Sequence, residues 1–291
     1  MSTRKRTVNE AGASAREAEN LLGDFLRAHR ARITPEEAGI ASYGVRRVPG
    51  LRREELAQLG GVSANYYTRL EQGEAMNPSA SILGALARAL RLDEDATIYL
   101  HSIAGTSHPD ATRQDADESE AGTTLAFDRI VDHLPGTATV TLSQTNDVLS
   151  YTPLAYELFF KHLPTGQEPW NTYRLLFTDP YTRDLYRNWS EEASLAVASL
   201  RFHAASHPHD PAVRELVGEL SVVSSEFARL WAEHPVRRCT RGSKLLMHPE
   251  FGDIDLEYQI LHAPDGDGRR ILIHTAVPET PAADVFQMLG A

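Results

Sequence analysis

Residues 60–73 read GGVSANYYTRLEQG, and how this stretch folds decides the architecture of the N-terminal third of the chain. Its paired glycines suit a tight turn, because glycine enters left-handed backbone conformations without a Cβ clash. Ser63 then stands where a helix N-cap belongs, its hydroxyl able to accept a first-turn N–H. The following ANYYTRLEQ is predicted to be a helix. Val62, Tyr67 and Leu70 fall toward one side of it, and Ala64, Asn65, Tyr66 and Arg69 are left on the other. Upstream, RREELAQL forms a second predicted helix, with Leu56 and Ala57 as the contacts for Tyr67 and Leu70.

Two helices joined by a short glycine turn make a helix-turn-helix, whose second helix enters the DNA major groove. The outward set has the matching chemistry. Asn pairs bidentately with adenine, Arg pairs with guanine, and Ala can touch a thymine methyl. Arg46, Arg47, Arg52 and Arg53 cluster just upstream, where phosphate contacts are expected. Supporting helices surround the motif. AENLLGDFLRAHRARI places Leu21, Leu22, Phe25 and Leu26 at helical spacing. SASILGALARALRL follows Pro78, and EDATIYLHSIAG closes at Gly105.

Beyond Gly105 the character changes. Residues 106–124 are polar, acidic and rich in small side chains, and read as a flexible linker. The net charge of −11 is divided unevenly: residues 1–105 carry 14 Lys and Arg against 13 Asp and Glu, and the remainder 15 against 27. An acidic second half repels DNA, which leaves the duplex to the first. The one cysteine, Cys239, excludes an intrachain disulfide and a multi-cysteine zinc site. No apolar run approaches the roughly 20 residues of a membrane span. The basic residues 1–19 have no apolar stretch behind them and are expected to be disordered rather than a secretion signal. Together these features point to the cytoplasm.

The second half mixes periods. ATVTLSQTNDVLSYT is a predicted hairpin turning at residues 144–147. A helical region broken at Pro164, Pro180 and Pro211 follows. VRRCTRGSKLLMHP, DIDLEYQILHAP and RRILIHTAV are then predicted strands, the last two joined through PDGDG. Strand, helices and strands in that order predict an antiparallel sheet covered by helices.

The core LRREELAQLGGVSANYYTRLEQG, followed by PSASILGALARALRLD, resembles the Xre-type, phage-repressor-like DNA-binding domain. The resemblance implies a backbone contact at Arg53, a phosphate contact at Gln72, and DNA contacts at Ser63, Ala64, Asn65, Tyr66 and Arg69. The basic insertion EEAGIASYGVRRVPG departs from a minimal domain, and with Tyr66–Tyr67 it resembles the MmyB-like subfamily. WNTYRLLFTDPYTRDLYRNW, RELVGELSVVSSEFARLW and HPEFGDIDLEYQIL resemble that family's PAS-like ligand-binding domain. The expected fold class is therefore multidomain: an all-α phage-repressor-like domain over residues 20–105, then an α+β PAS-like domain over residues 125–291. What the resemblance implies is a one-component transcription regulator that binds double-stranded DNA and senses a small, largely apolar effector, fatty-acid-like in character.

For the sensor, Trp170, Asn171, Tyr173, Arg174, Phe177, Trp189 and Phe202 form an aromatic-rich stretch with polar members, as a pocket has. Asn171, Arg174 and Arg201 are the expected anchors for a carboxylate or carbonyl. Plain core packing is the competing reading for each residue taken singly. His203, His207, His209 and Asp210 have the types of metal ligands, but Pro208 and Pro211 break the spacing and no metal or other cofactor is expected. No G-x-S-x-G, H-E-x-x-H or phosphate-loop motif is present, so no catalytic residue is assigned. Alternative readings are an adaptor using the Xre-type domain for protein contacts and an enzyme docked by its helix-turn-helix. A lone unit of this size predicts a homodimer, joined through the sensor domains or the last N-terminal helix.

Overall fold

The computed structural model describes residues 20–40, 46, 48–75, 77–105, 130–131, 133–164, 166, 168–207, 210–263 and 268–289. Arg47, His209, the linker at 106–124, the first 19 residues and most of the PDGDG turn lie outside them. The chain divides into two compact units, Met1–Thr112 with Arg201–Pro208, and Arg113–Leu200 with His209–Ala291.

Among its described residues the first unit has the helices α1 (Leu21–Arg32), α2 (Arg53–Leu59), α3 (Ala64–Glu71), α4 (Ala80–Ala89) and α5 (Glu94–Ile103). Four begin on a side-chain cap. Asn20, Ser63, Ser79 and Asp93 each accept a backbone N–H of the first turn, the group a helix start leaves without a partner. The turn between α2 and α3 is made as the sequence predicts, although only Gly61, at φ +65°, takes the left-handed conformation. Gly60 stays right-handed and ends α2. Phe25, Leu26, Leu56, Tyr67, Leu70, Leu86 and Leu100 are fully buried. Leu21, expected on the apolar face of α1, is 39% exposed because it stands at the first position of that helix.

A carboxylate lies at the centre of this helical unit. Glu71, at the end of α3, is fully buried. Its Oε1 accepts from Arg30 Nε of α1 at 2.6 Å, and its Oε2 accepts from Arg53 Nε of α2 at 2.7 Å. Its backbone carbonyl accepts from Asn20 Nδ2 at 2.8 Å and Arg27 Nη2 at 3.2 Å, which satisfies an orphan acceptor at a helix C-terminus. Gly23 makes this approach of α1 to α3 possible, since a Cβ there would lie 2.3 Å from the Glu71 carbonyl oxygen.

The second unit is an antiparallel sheet with helices. Its strands are β1 (Ala138–Leu142), β2 (Val148–Tyr151), β3 (Arg241–His248), β4 (Gly252–His262) and β5 (Arg270–Ala276). They are ordered β2-β1-β5-β4-β3, with every neighbouring pair antiparallel. This is the α+β PAS-like domain. Strand β1 sits inside the sheet and is buried at all five positions. Strand β4 alternates, with Ile254, Leu256 and Tyr258 inward and Asp253, Asp255 and Glu257 outward, the period of a half-solvated strand. Residues 236–240, read in the sequence as the start of a strand, belong to no element; β3 begins at Arg241.

Between β2 and β3 run α6 (Pro153–Ala155), continued by a π-helical turn at Tyr156–Phe160, and α7 (Thr172–Thr178), α8 (Pro180–Leu185), α9 (Trp189–Ser206), α10 (Pro211–Val223) and α11 (Ser225–Ala232). Helix α12 (Pro281–Leu289) follows β5. The prolines at 180 and 211 start helices as well as interrupting the helical pattern. Each takes the first helical turn, behind a capping Asp179 or Asp210.

Burial alone raises the Glu71 carboxyl pKa, but the hydrogen bonds from Arg30 and Arg53 outweigh it and hold the group below its ordinary value. A depressed folded pKa stabilises the native state above the unfolded value of about 4.3 and is lost below it. Glu71→Gln leaves two guanidinium groups without their counter-charge and is expected to cost about 3 kcal/mol of stability at pH 7. Urea unfolding followed by the helical signal measures this. The gap between the variant and the parent narrows as the pH falls below about 4.3 toward the depressed folded value.

Candidate functional site

Among the described residues, two places stand as candidate sites. The first is the outward face of α3. Ser63 Oγ accepts the Tyr66 N–H at 3.1 Å and fixes the start of the helix. Tyr67 and Leu70 are wholly buried beneath it, and Glu71 anchors its far end. The rotation about the helix axis is thereby set. Asn65, Arg69 and Gln72 are exposed, and Ala64 and Tyr66 are half-buried beside them. Among the described residues, the Arg69 guanidinium reaches the Glu74 carbonyl alone, with Nη2 at 3.4 Å. A helix with its polar groups in solvent and its apolar side locked down can present hydrogen-bonding edges to base pairs.

The arginines upstream are less free than their sequence suggests. Arg46 forks onto Glu55, with Nη1–Oε1 at 2.9 Å and Nη2–Oε2 at 2.7 Å. Arg53 binds Glu71 while keeping 41% of its side chain exposed. Arg52 is exposed immediately before α2, its own N–H held by Glu55 Oε2 at 2.7 Å. Arg47 lies outside the described residues.

The second place is a cavity of about 140 Å³ inside the sensor unit. One wall is the sheet: Val140 and Leu142 of β1, Lys244 of β3, Tyr258 and Ile260 of β4, and Arg270, Leu272 and His274 of β5. The period of two puts alternate residues of each strand on the same side. Opposite stand Thr172, Tyr173, Leu175 and Leu176 of α7, Thr182 and Leu185 of α8, and Glu192, Leu195, Ala196 and Ser199 of α9. Phe159 and Phe160 enter from the π-helical turn, whose wider winding sends two successive rings to this side.

The polar groups of the cavity have distinct states. Glu192 is 3% exposed and forms an ion pair with Lys244, whose ammonium also lies 4.8 Å from the Tyr258 ring centroid. His274 Nδ1 faces the Ala138 carbonyl at 2.9 Å and so carries the proton there. Burial drives its pKa down to about 3, leaving the ring neutral at pH 7. Burial pushes the Tyr258 phenol up to about 12 and raises the Cys239 thiol, so both stay protonated.

The six side chains expected at the ligand from sequence do not line this cavity. Trp170 packs against Tyr151 and Phe160, with ring centroids 5.6 and 5.2 Å away. Asn171 caps α7 and donates to Thr145 O and Asp147 Oδ1 at 2.7 and 2.9 Å. Arg174 is bound to Glu219, Nη2–Oε2 at 2.7 Å. Phe177 meets Trp189 and Phe227 edge-on. Trp189 donates from Nε1 to Leu176 O at 2.9 Å, under the Arg183 guanidinium. Arg201 is 2% exposed and belongs to the first unit, where it bonds to Tyr99. Tyr173, from the same stretch, does line the cavity. The sequence reading passed over Lys244, Arg270 and His274. Their signal is a polar side chain in phase with the inward positions of a strand.

The His203 and His207 rings lie 4.4 Å apart between centroids, tilted by 30°. Among the described residues no three metal-ligating side chains gather, and no helix is long and apolar enough to cross a membrane.

Comparison with known families finds the MmyB-like transcription regulator ligand binding domain over residues 124–289 and a helix-turn-helix domain over residues 21–97. No curated protein matches the chain. The first match spans more than half of the chain, and the cavity walls lie within it.

The Glu192–Lys244 pair makes a test of the cavity's construction. Glu192→Gln leaves the buried ammonium without a counter-charge and is expected to destabilise the sensor unit by about 3 kcal/mol. Replacing both partners, Glu192→Leu with Lys244→Met, recovers most of the loss, because two well-packed apolar side chains avoid the desolvation of both charges. Urea unfolding of the three proteins checks both outcomes.

Proposed function

The chain belongs to the family of the MmyB-like transcription regulator ligand binding domain and is a DNA-binding transcription regulator with a ligand-sensing domain; from that premise we propose how the two units share the work. Helix α3 reads a major groove. Asn65 and Arg69 contact base edges, Ala64 and Tyr66 pack beside them, and Ser63, Arg52, Arg53 and Gln72 meet the backbone. The observation that carries this reading is the exposed Asn65–Arg69 face on a helix whose other side is buried and clamped at Glu71. The cavity between β5 and α7–α9 binds a small, largely apolar effector. Its occupancy changes the spacing or order of two helix-turn-helix units in a homodimer, because a palindromic operator is read by paired half-sites. The protein acts on the chromosome in the cytoplasm, by binding and without catalysis.

Fluorescence anisotropy on fragments from upstream of the protein's own gene tests the DNA half. Specific binding that weakens steeply with salt is expected; its absence at every salt concentration, with and without cell extract, overturns the reading. Asn65→Ala is expected to cost about 1–3 kcal/mol on the preferred site and to relax base preference at one position. Arg52→Ala weakens all sequences alike and lowers the salt slope by about one. Arg53→Ala does the same but also lowers the unfolding midpoint, since Arg53 is a partner of the buried Glu71.

A further inference from the structure

Among the described residues, the walls of the sensor cavity carry a charge that no carboxylate balances. Three formally charged side chains line it: Glu192, Lys244 and Arg270. The first two neutralise each other as an ion pair. Arg270 is 6% exposed, at the start of β5, in register with Leu142 of β1 on one side and His262 of β4 on the other. Both neighbours are uncharged at pH 7, and burial together with the Arg270 charge holds His262 below its ordinary pKa. The polar side chain facing the guanidinium from α7 is the Tyr173 phenol, which is neutral. Among the described residues no carboxylate lies within salt-bridge distance of Arg270. A guanidinium taken out of water without a partner is costly, and a fork of N–H donors is shaped for a carboxylate. His274, two residues beyond Leu272 on the same side of β5, contributes no charge.

Size and wall chemistry narrow the occupant. A dry cavity of about 150 Å³ accepts one benzene molecule, and the volume here is about 140 Å³. The walls near β5 are rings and branched chains, with Phe159 and His274 at 4.8 Å between centroids and Leu272 between Arg270 and His274. One uncompensated positive charge matches one negative charge. A phosphate dianion asks for a second free cation, which these walls do not supply. On the reading that this unit is the effector-binding domain, we propose that its cavity binds a compact aromatic monocarboxylate of about ten non-hydrogen atoms, with the carboxylate on Arg270 and the ring against Leu272 and Phe159.

Isothermal titration of the full-length protein at pH 7 with benzoate and phenylacetate tests this, with benzamide, phenyl phosphate and laurate as contrasts. Saturable binding of one carboxylate per chain is expected, with benzamide weaker by about tenfold or more because the charge-assisted fork is lost. Arg270→Gln is expected to lower benzoate affinity by a similar factor, about tenfold, and Arg270→Lys by less. Ala196→Phe, which fills the cavity from α9 and leaves Arg270 in place, abolishes binding. Equal affinity for benzoate and benzamide, a preference for laurate or phenyl phosphate, unchanged benzoate binding in Ala196→Phe, or no binding of either carboxylate overturns the proposal. If Arg270→Gln does not fold, the comparison of benzoate with benzamide and the Ala196→Phe variant decide. Operator binding, measured separately, reports on the regulator reading. A protein that binds its operator and laurate but not benzoate keeps that reading and loses this one.

Discussion

Glu71 is the constraint on which the helical unit turns. A carboxylate removed from water needs its charge met at short range, and only a defined packing of α1, α2 and α3 brings Arg30 and Arg53 to it together. Hydrophobic burial of Phe25, Leu56, Tyr67 and Leu70 supplies the driving force, but apolar contacts tolerate some sliding and rotation. A bidentate ion network does not. With Asn20 and Arg27 holding the Glu71 carbonyl as well, α3 is fixed at its last residue by two groups from α1 and at its first turn by Ser63. Asn65 and Arg69 inherit their orientation from these anchors. They make no comparable internal commitment themselves.

The contrast between committed and uncommitted arginines orders the rest of the chain. Arg30, Arg46 and Arg174 each face a carboxylate, so their positive charge is spent on architecture, while Arg53 faces Glu71 and keeps part of its side chain in solvent. Arg69 meets only a backbone oxygen in solvent, and Arg270 meets a phenol inside the cavity. Being basic does not make a residue functional; the absence of a protein counter-charge is the more useful criterion. The same criterion separates the two sites by partner. An exposed, unbalanced cation on a helix face suits a polyanion that brings many charges at once. A buried, unbalanced one, walled by Phe159 and Leu272, suits a single anion that brings its own apolar body.

The legible and illegible parts of the sequence divide along contact range. Ser63, Gly61, Tyr67 and Leu70 could be placed because caps, turns and helical faces are local, decided within four residues. The strands and their order of appearance were legible from period-two patterns, and the family resemblance supplied the PAS-like arrangement that pattern alone leaves open. The ion pairs were not legible. Arg53 and Glu71 are 18 residues apart, and Arg30 and Glu71 are 41 apart, and nothing local announces such a partnership. Clustered arginines therefore look alike in the sequence, although Arg46 and Arg53 each also hold a carboxylate of the fold. In the sensor, the aromatic run from Trp170 to Phe202 drew attention by composition. Most of it closes the core around Tyr151, Phe227 and Trp189, and the two cations of the cavity, Lys244 and Arg270, come from strands far along the chain.

The strands explain why that polarity is hard to see and why it is informative. On a β-strand the inward and outward residues alternate, so a single charged side chain looks solvated until its phase is compared with its neighbours. Arg270 is in phase with Leu272 and His274, which line the cavity, and out of phase with Ile271 and Ile273, which pack against the opposite side around Val131. Both sides of β5 are thus apolar around it, and no register moves the guanidinium to water. A sequence that keeps an arginine at such a position accepts a destabilising desolvation that leucine would avoid. Lys244 sets the comparison within the same wall, because its charge is met by Glu192. Among the described residues the cavity holds one ion pair, Glu192–Lys244, and one cation, Arg270, with no carboxylate beside it.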